Sequence, residues 1–459
     1  MFSIAIGPHD HNTYDGIHHN QIERHSRIKH NFDGTLDFFN EYYKPNDPLC
    51  LTVTIGGVEK TGFDHECLSF KPKKLWDYWY KDNLYYIDHH QSHAAYALLT
   101  SGFLQSDVLA IDGRGWNYKC VFFDKNGNIT DLSDKIQIGL QWNYFSKRLG
   151  FGDLGAGKLM GLSAYGEYNI AIHLALENKN YDYLLNAKKE DIAATLQYHT
   201  IELVKQHVLP LKSCNKLCIA GGVAYNGYMN EEFTKYYSHV HVPPAPGDEG
   251  QSLGTYMHAD FTLNRNVHIP DTYGGKEYEY IGKEKVNITE VAQGIANGKI
   301  VGWYQGKSES GHRALGNRSI LADPRNPNIK DRINKRIKMR EDFRPFAPSV
   351  LEEYYEDYFD TSQPSPYMSR IVPVISDKIP GVTHIDNTAR IQTINRKQNE
   401  KFYDLIYEFY KITGIPMLLN TSFNCQEPIV ETPEEAIKTY EKTEMDMLVI
   451  NEYCMSKVG

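Results

Sequence analysis

Apolar residues recur along this chain with two periods, and each change of period marks a change of element. Residues 2–6 and 51–55 are short apolar or β-branched runs closed by Gly7 and by Gly56-Gly57, which predicts strands. His89, His93, Ala94, Ala95, Leu98 and Leu99 follow at helical spacing until Gly102. Residues 108–111 then read as a buried strand with Asp112 at its tip. Alternation over residues 119–123 with the turn Asn126-Gly127-Asn128 predicts a β-hairpin, and Ile192, Leu196, Leu203, Val204 and Val208 mark an amphipathic helix. Strands at residues 217–220 and 239–242 lead into Gly221-Gly222 and into a Pro- and Gly-rich loop holding Asp248. Acids and glycines at successive strand ends, with helices between, predict a folded-over α/β domain whose cleft gathers loops from several strands.

Periodicity fades over residues 262–285, where Pro, Gly and charge accumulate, and the expected domain boundary falls at 275/276. Beyond it, a helix over 288–296, strands at 300–304 and 417–419 and a helix opening at Pro433 predict a second α/β domain. A chain of 459 residues accommodates two such cores. The formal net charge of -9 argues against a uniformly basic surface for nucleic acid. Seven cysteines without a CxxC pair give neither a disulfide nor a zinc framework, and no run reaches the ~18 apolar residues of a membrane span. The expectation is a cytoplasmic protein that does not enter a membrane.

Chemistry gathers at few places. His89 and His93, one helical turn apart, can offer both imidazoles to one metal ion, and Asp112 at the next strand end can complete the set. Asp248 is a second strand-end carboxylate. Lys158 lies in a glycine-rich stretch that can meet phosphate, and residues 217–226 form a strand-glycine-helix junction of the type that lets backbone approach a nucleotide. In the second half, Arg313 and Arg318 stand among glycines as forks for phosphate or carboxylate, whereas the charges of residues 330–340 read as a solvated helix face. Asn420, Ser422 and Asn424 form a polar loop after a strand. Lys71, Lys73, Lys74, Trp76, Trp79 and Tyr80 interleave charge and aromatic rings, a pattern shared by a surface that stacks bases or sugars and by a half-buried strand or packing helix. His9, after the first strand, is a candidate base.

The runs HHQSHAA, IDGRG, GKLMGL, AGGVAYN and PGDEGQSLG in the first half, and GHRALGNRSILADPR, REDFRPFAPSVL, DNTARIQTI, LLNTSFN and EPIVETPEEA in the second, resemble the O-carbamoyltransferases of the nodulation-protein and antibiotic-biosynthesis type. The resemblance implies an actin/sugar-kinase-like domain over residues 1–275 and a YrdC-like domain over 276–459. It implies that the second domain makes carbamoyl-adenylate from ATP, with Mg, and carbamoyl phosphate, and that the first transfers the carbamoyl group to an acceptor hydroxyl. By the same resemblance His89, His93, Asp112 and Asp248 bind a divalent metal, iron foremost, and His9 is the base. Arg313 and Arg318 are catalytic in the adenylate-forming site, with Ser319, Arg344, Asn420, Ser422 and Asn424 as cofactor contacts, and Lys158, Gly222 and Asn226 contact nucleotide in the first domain. Ser310 and His312 replace the family's usual Phe and Pro, Asn387 replaces a Gly, and the segment 424–428 is shortened. The family's early hairpin is expected to be trimmed.

The acceptor suggested by the basic and aromatic stretch is a 5-hydroxymethylpyrimidine in nucleotide or DNA, the alternative being a sugar or antibiotic hydroxyl. Other readings are an inactive metal- and nucleotide-binding regulatory module and a sugar kinase; a homodimer is the expected assembly.

Overall fold

A computed structural model describes residues 1–6, 11–21, 24, 48–53, 79–81, 83–113, 118–153 and 155–457. Contacts divide the chain into a first unit that runs to Asp271 and a second from Thr272 to Gly459.

The first unit contains two sheets. Strands β1 (Phe2–Ile6), β2 (His11–Tyr14), β3 (His19–Gln21), β4 (Leu49–Val53), β5 (Trp79–Lys81) and β6 (Leu84–Tyr86) lie in the order β3-β2-β1-β4-β6-β5. The β1–β2 and β2–β3 pairs are antiparallel, and β1–β4 and β4–β6 are parallel. Strands β7 (Asp107–Ile111), β8 (Cys120–Phe123), β9 (Ile129–Asp131), β10 (Lys216–Ala220) and β11 (His239–His241) lie in the order β11-β10-β7-β8-β9. Here β7–β8 and β8–β9 are antiparallel, and β7–β10 and β10–β11 parallel. The second sheet therefore repeats the order and direction of the first, strand for strand, with β5 as an extra edge. A duplicated sheet of this order is the layout of an actin/sugar-kinase-like α/β fold. An early hairpin forms from β2 and β3, with Thr13 and Asn12 in register with Asn20 and Gln21 across a short turn.

Helix α1 (His89–Thr100) follows β6, and helix α2 (Gln251–Asn264) comes after β11, so each helix occupies the same place in its repeat. Residues His89 to Ala97 are all buried, which is why α1 shows little amphipathic character despite its regular spacing. Asp88 caps it, accepting from the His90 and Gln91 backbone N–H groups. The two helices cross at Gly254, where a Cβ would stand 2.2 Å from the Ser92 carbonyl oxygen. Ser92 Oγ donates to the Gln251 carbonyl at 2.9 Å and lies 3.0 Å from Thr255 Oγ1.

The second unit is one mixed sheet of β12 (Glu284–Lys285), β13 (Val301–Tyr304), β14 (Arg318–Ala322), β15 (Ala347–Leu351), β16 (Arg370–Pro373), β17 (Thr388–Ile394), β18 (Met417–Ser422), β19 (Met447–Ile450) and β20 (Tyr453–Ser456). Their order is β12-β20-β19-β13-β14-β18-β15-β17-β16. Helices α3 (Ile288–Ala296) and α4 (Glu400–Thr413) bury Val291, Ala292 and Ile295, and Phe402, Leu405, Ile406 and Phe409, in a core shared with Trp303, Ile320, Leu418 and Val449. A capping box between Asn287 and Glu290 starts α3 as the sequence pattern implies. Gly316, at φ +112°, presses against the Phe402 ring, which a Cβ would meet at 2.2 Å.

The helix crossing gives a direct expectation. Gly254→Ala puts a methyl group where the Ser92 carbonyl already stands, so α1 has to move. Overpacking of this kind costs about 1–3 kcal/mol, to be measured as a lower urea midpoint with an unchanged slope.

Candidate metal centre and anion site

Four side chains from three elements of the first unit converge. His89 and His93 project from one face of α1, Asp112 follows the last residue of β7, and Asp248 lies in the turn before α2. His89 Nε2 is 3.2 Å from Asp112 Oδ2 and 3.3 Å from Asp248 Oδ1, and His93 Nε2 is 3.1 and 3.4 Å from the same atoms. One ligand atom from each of the four lies within 4.8 Å of every other. Donors bound about 2.1 Å from one cation stand roughly 3–3.5 Å apart, so these separations fit a single ion. Two imidazole nitrogens and two carboxylates suit iron, manganese or zinc.

The electrostatics agree with the geometry. Burial pushes the Asp112 carboxyl up, but the hydrogen bonds from His89 and His93 outweigh it and hold the group well below its ordinary value. Burial raises Asp248, to which the Asp112 charge adds. For His93 burial acts downward, yet its hydrogen bonds to Asp112 and Asp248 and their charges raise it to about 9. The loop ahead of α2 is fixed from several sides. Asn12 Nδ2 donates to the Asp248 carbonyl at 2.8 Å, Asn12 Oδ1 accepts from the Ser252 backbone at 3.0 Å, and His19 Nε2 donates to the Glu249 carbonyl at 2.8 Å. Burial lowers His19 to about 4, so it stays neutral at neutral pH.

Behind Asp112 lies the glycine junction expected from the sequence. Gly221, at φ +93°, meets the Ile111 carbonyl, and a Cβ on Gly222 would stand 3.1 Å from Asp112 Oδ1. Gly222 is thus brought to the metal cluster. Asn226 is not free for a nucleotide in the way expected, because its Oδ1 accepts from the Met229 N–H and Gln197 Nε2, and its Nδ2 donates to Gln197 Oε1. It caps the next short helix instead. Lys158 stands half-buried on the helix Ala156–Leu162. His9 lies outside the described residues, as do Lys71, Lys73, Lys74 and Trp76, while Trp79 and Tyr80 are described only as backbone of β5.

The second unit carries a separate polar site on one face of its sheet. Register sets Ser319 beside Ser422, Asn420 beside Ala347 and Ser349 beside Gln392, so polar side chains come from four adjacent strands. Asn420 Nδ2 donates to the Ala314 carbonyl, Ser349 Oγ and Gln392 Oε1 at 3.1, 2.9 and 3.2 Å. Asn420 Oδ1 and Ser319 Oγ are buried without a hydrogen-bond partner. Lys338, 2 % exposed, donates to the Ser422 carbonyl at 2.5 Å and to Asn424 Oδ1 at 2.6 Å. Burial lowers Arg344, with Glu341 opposing and the nearby Arg313 charge adding. Burial and the Arg344 charge push Arg340 down to about 9.

Two expectations are corrected here. Residues 330–340 are not simply a solvated helix face: the α-helix ends at Ile333, a wider π turn runs over Asn334–Lys338, and the change of pitch turns Lys338 inward while Lys335 and Arg336 remain exposed. Arg318 does not face a ligand as a fork. Its guanidinium is wholly buried, stacks on Tyr304 at 3.6 Å, and donates to the carbonyls of Gln305, Asn317, Gly306 and Glu431. Those carbonyls occupy the charge, so Arg318 anchors the start of β14. Ser349, Gln392, Asn12 and Glu249 were not singled out in the sequence; a polar residue at an inward position of an otherwise apolar strand is the available signal for the first two.

The His93 shift makes the cation compete with a proton. A metal takes the neutral imidazole, and His93 is protonated below about 9, so binding at pH 7 releases about one proton and affinity rises about tenfold per pH unit until pH 9. Calorimetric titration in buffers of differing ionisation enthalpy measures this, and the proton release fades above pH 9.

The family model described as Carbamoyltransferase N-terminus matches residues 63–188 and 172–257, and that described as Carbamoyltransferase C-terminus matches residues 292–457. Nodulation protein NolO of Bradyrhizobium diazoefficiens is 34% identical over 439 residues, spanning 81% of this chain and 79% of its own. An uncharacterized protein of Methanocaldococcus jannaschii is 31% identical over 491 residues, spanning 92% of both chains. Among solved structures, the activator of the 2-hydroxyisocaproyl-CoA dehydratase from Clostridium difficile aligns with 58% of this chain and 96% of its own, at 15% identity and a TM-score of 0.37. No helix among the described residues is long and apolar enough to cross a membrane. Matched by both family models and by relatives over most of its length, the chain belongs to the carbamoyltransferase family.

Proposed function

We propose that this enzyme is an ATP-dependent O-carbamoyltransferase that divides its chemistry between the two units. The observation that carries the reading is the crowding of cations in the second unit. Burial and the Arg313 charge lower Arg344, and burial and the Arg344 charge lower Arg340, Glu341 opposing both, and a charge set so placed is stabilised by an anion of several oxygens. The Ser319 hydroxyl beside that face can donate to such an anion, and Asn420 Oδ1, an acceptor, suits the N–H of a carbamoyl group. ATP, with Mg, and carbamoyl phosphate meet this description: water cleaves carbamoyl phosphate to carbamate and phosphate, and a carbamate oxygen then bonds to the α-phosphorus of ATP as pyrophosphate leaves, giving carbamoyl-adenylate. Arg313 and Arg344 hold phosphate oxygens, Ser319, Ser422 and Asn420 orient the small carbamoyl group, and Lys338 fixes the loop through Ser422 and Asn424.

Transfer belongs to the first unit. The acceptor hydroxyl oxygen forms a bond to the carbamoyl carbon, the bond from that carbon to the AMP phosphate oxygen breaks, and the hydroxyl proton passes to a base, for which His9 is the candidate. His89, His93, Asp112 and Asp248 hold a divalent metal, iron being the proposed ion, which when bound polarises oxygen and eases loss of the proton. The junction at Gly222, and Lys158, serve the nucleotide half of the donor.

For the acceptor, the proposed class is a 5-hydroxymethylpyrimidine in nucleotide or DNA, resting on the basic and aromatic residues 71–81 of the sequence. Mass spectrometry of an acceptor panel with ATP and carbamoyl phosphate tests it, seeking a gain of ~43 Da as hydroxyl hydrogen is replaced by carbamoyl. Gain on small sugars but on no hydroxymethylated base removes this acceptor class.

The division of labour is tested by two variants. Arg344→Ala loses a charge-assisted contact of about 1.5–3 kcal/mol, so release of pyrophosphate from ATP falls roughly ten- to a hundredfold. His93→Ala leaves pyrophosphate release intact and stops transfer. A His93→Ala enzyme that no longer releases pyrophosphate contradicts the separation.

A further inference from the structure

Of the four ligands, Asp248 has the least regular support. His89 and His93 belong to α1 and Asp112 follows directly on β7, but Asp248 opens a single 3-10 turn, Asp248–Gly250, at the end of a loop. Asn12 holds its carbonyl from one side, and the side chain of the next residue holds the turn from the other. Glu249 is 2 % exposed, and its Oε1 accepts from the Gly247 backbone N–H at 3.0 Å and from the Tyr225 hydroxyl. Gly247 leaves room for this arrangement and for nothing larger: a Cβ there would stand 2.6 Å from Glu249 Oε2 and 3.3 Å from Tyr225 Cε2.

Tyr225 is the last residue of the glycine junction Gly222–Tyr225, and Gly222 packs on Asp112 Oδ1. The hydroxyl of Tyr225 therefore ties the turn carrying one carboxylate ligand to the loop that supports the other. We infer that the Tyr225–Glu249 hydrogen bond is the positioning device that holds Asp248 opposite Asp112 in the metal centre, an inference that rests on the metal reading above. Neither residue touches the ion. A buried carboxylate oxygen that loses a donor is less well satisfied, and the turn reorganises in response. Because Asp248 is adjacent, it moves with the turn, and the spacing between the two carboxylates is lost.

Position and charge make opposite predictions here. Tyr225→Phe removes the hydrogen bond and keeps every charge. Glu249→Gln removes a buried negative charge near the cation, yet its amide oxygen still accepts from Tyr225 and from Gly247. If Glu249 acts by position, Tyr225→Phe weakens the site more; if it acts by charge, Glu249→Gln does.

The experiment is titration of the full metal-free chain with Co(II), reading affinity against a competing chelator and coordination geometry from the visible absorption band. Loss of a supporting residue behind a metal ligand typically costs 10–100-fold in affinity. Tyr225→Phe is expected to weaken Co(II) binding about tenfold and to alter the band, while Glu249→Gln keeps the wild-type band and loses less affinity. Wild-type affinity and band in Tyr225→Phe, or a greater loss in Glu249→Gln, overturn the positioning role and leave the metal centre standing. Should Tyr225→Phe fail to fold, Glu249→Gln still decides: a retained band supports positioning and a loss beyond tenfold overturns it. A wild-type chain that binds Co(II) no better than His93→Ala overturns the metal centre itself, and this inference with it.

Discussion

Two carboxylates and two imidazoles share one buried space in the first unit, and the cost of removing their charges from water constrains everything around them. Neither Asp112 nor Asp248 is tolerable there without cationic partners. In the metal-free chain a proton on His93 supplies part of that charge, which is why His93 is raised while its neighbour His90 is driven down to about 3, first by burial and then by the charges of His89 and His93, Asp112 opposing. A divalent ion bound there would replace the proton and satisfy both acids at once. The arrangement could hold a metal ion because it is an incomplete electrostatic balance held by rigid elements.

Rigidity comes from duplication. The two sheets repeat one strand order, and the site forms where equivalent ends of the repeats meet: α1 follows β6, Asp112 follows β7, and Asp248 comes after β11. Parallel strands deliver loops at their carboxyl ends, so residues far apart in sequence arrive at one crevice. Close approach at Gly254 and Gly221 lets α1 and the glycine junction sit at the distances the ligands need. In the second unit the constraint is of the opposite sign. There Arg313 adds to the burial that lowers Arg344, with Glu341 opposing, and four adjacent strands present hydroxyl and amide groups on one face.

Much of this was legible in the residues themselves. Helical spacing set His89 and His93 on one face, because a pitch of 3.6 residues fixes that relation whatever surrounds the helix. Apolar runs ending in Asp112, in Gly221-Gly222 and ahead of Asp248 marked strand ends, and the Asn126-Gly127 turn marked the β8–β9 hairpin. The motifs around Arg313 and Asn420 carried the resemblance to the family, whose model matches residues 292–457.

Tertiary structure decided what local rules do not encode. Arg313 and Arg318 read alike in sequence, yet Arg318 is consumed by four carbonyls whose convergence depends on segments over a hundred residues apart, including Glu431. Lys338 lies among charges with the composition of a solvated face, and one wide helical turn reverses its direction. Asn226 looks available in a glycine-rich junction, but Gln197 of a distant helix takes its amide. Hydrophobic periodicity determined where strands and helices run and which residues end them. Only the meeting of two repeated sheets decided that Asp248 faces Asp112 across His89 and His93, because that distance is a property of the packing between elements and not of any one of them.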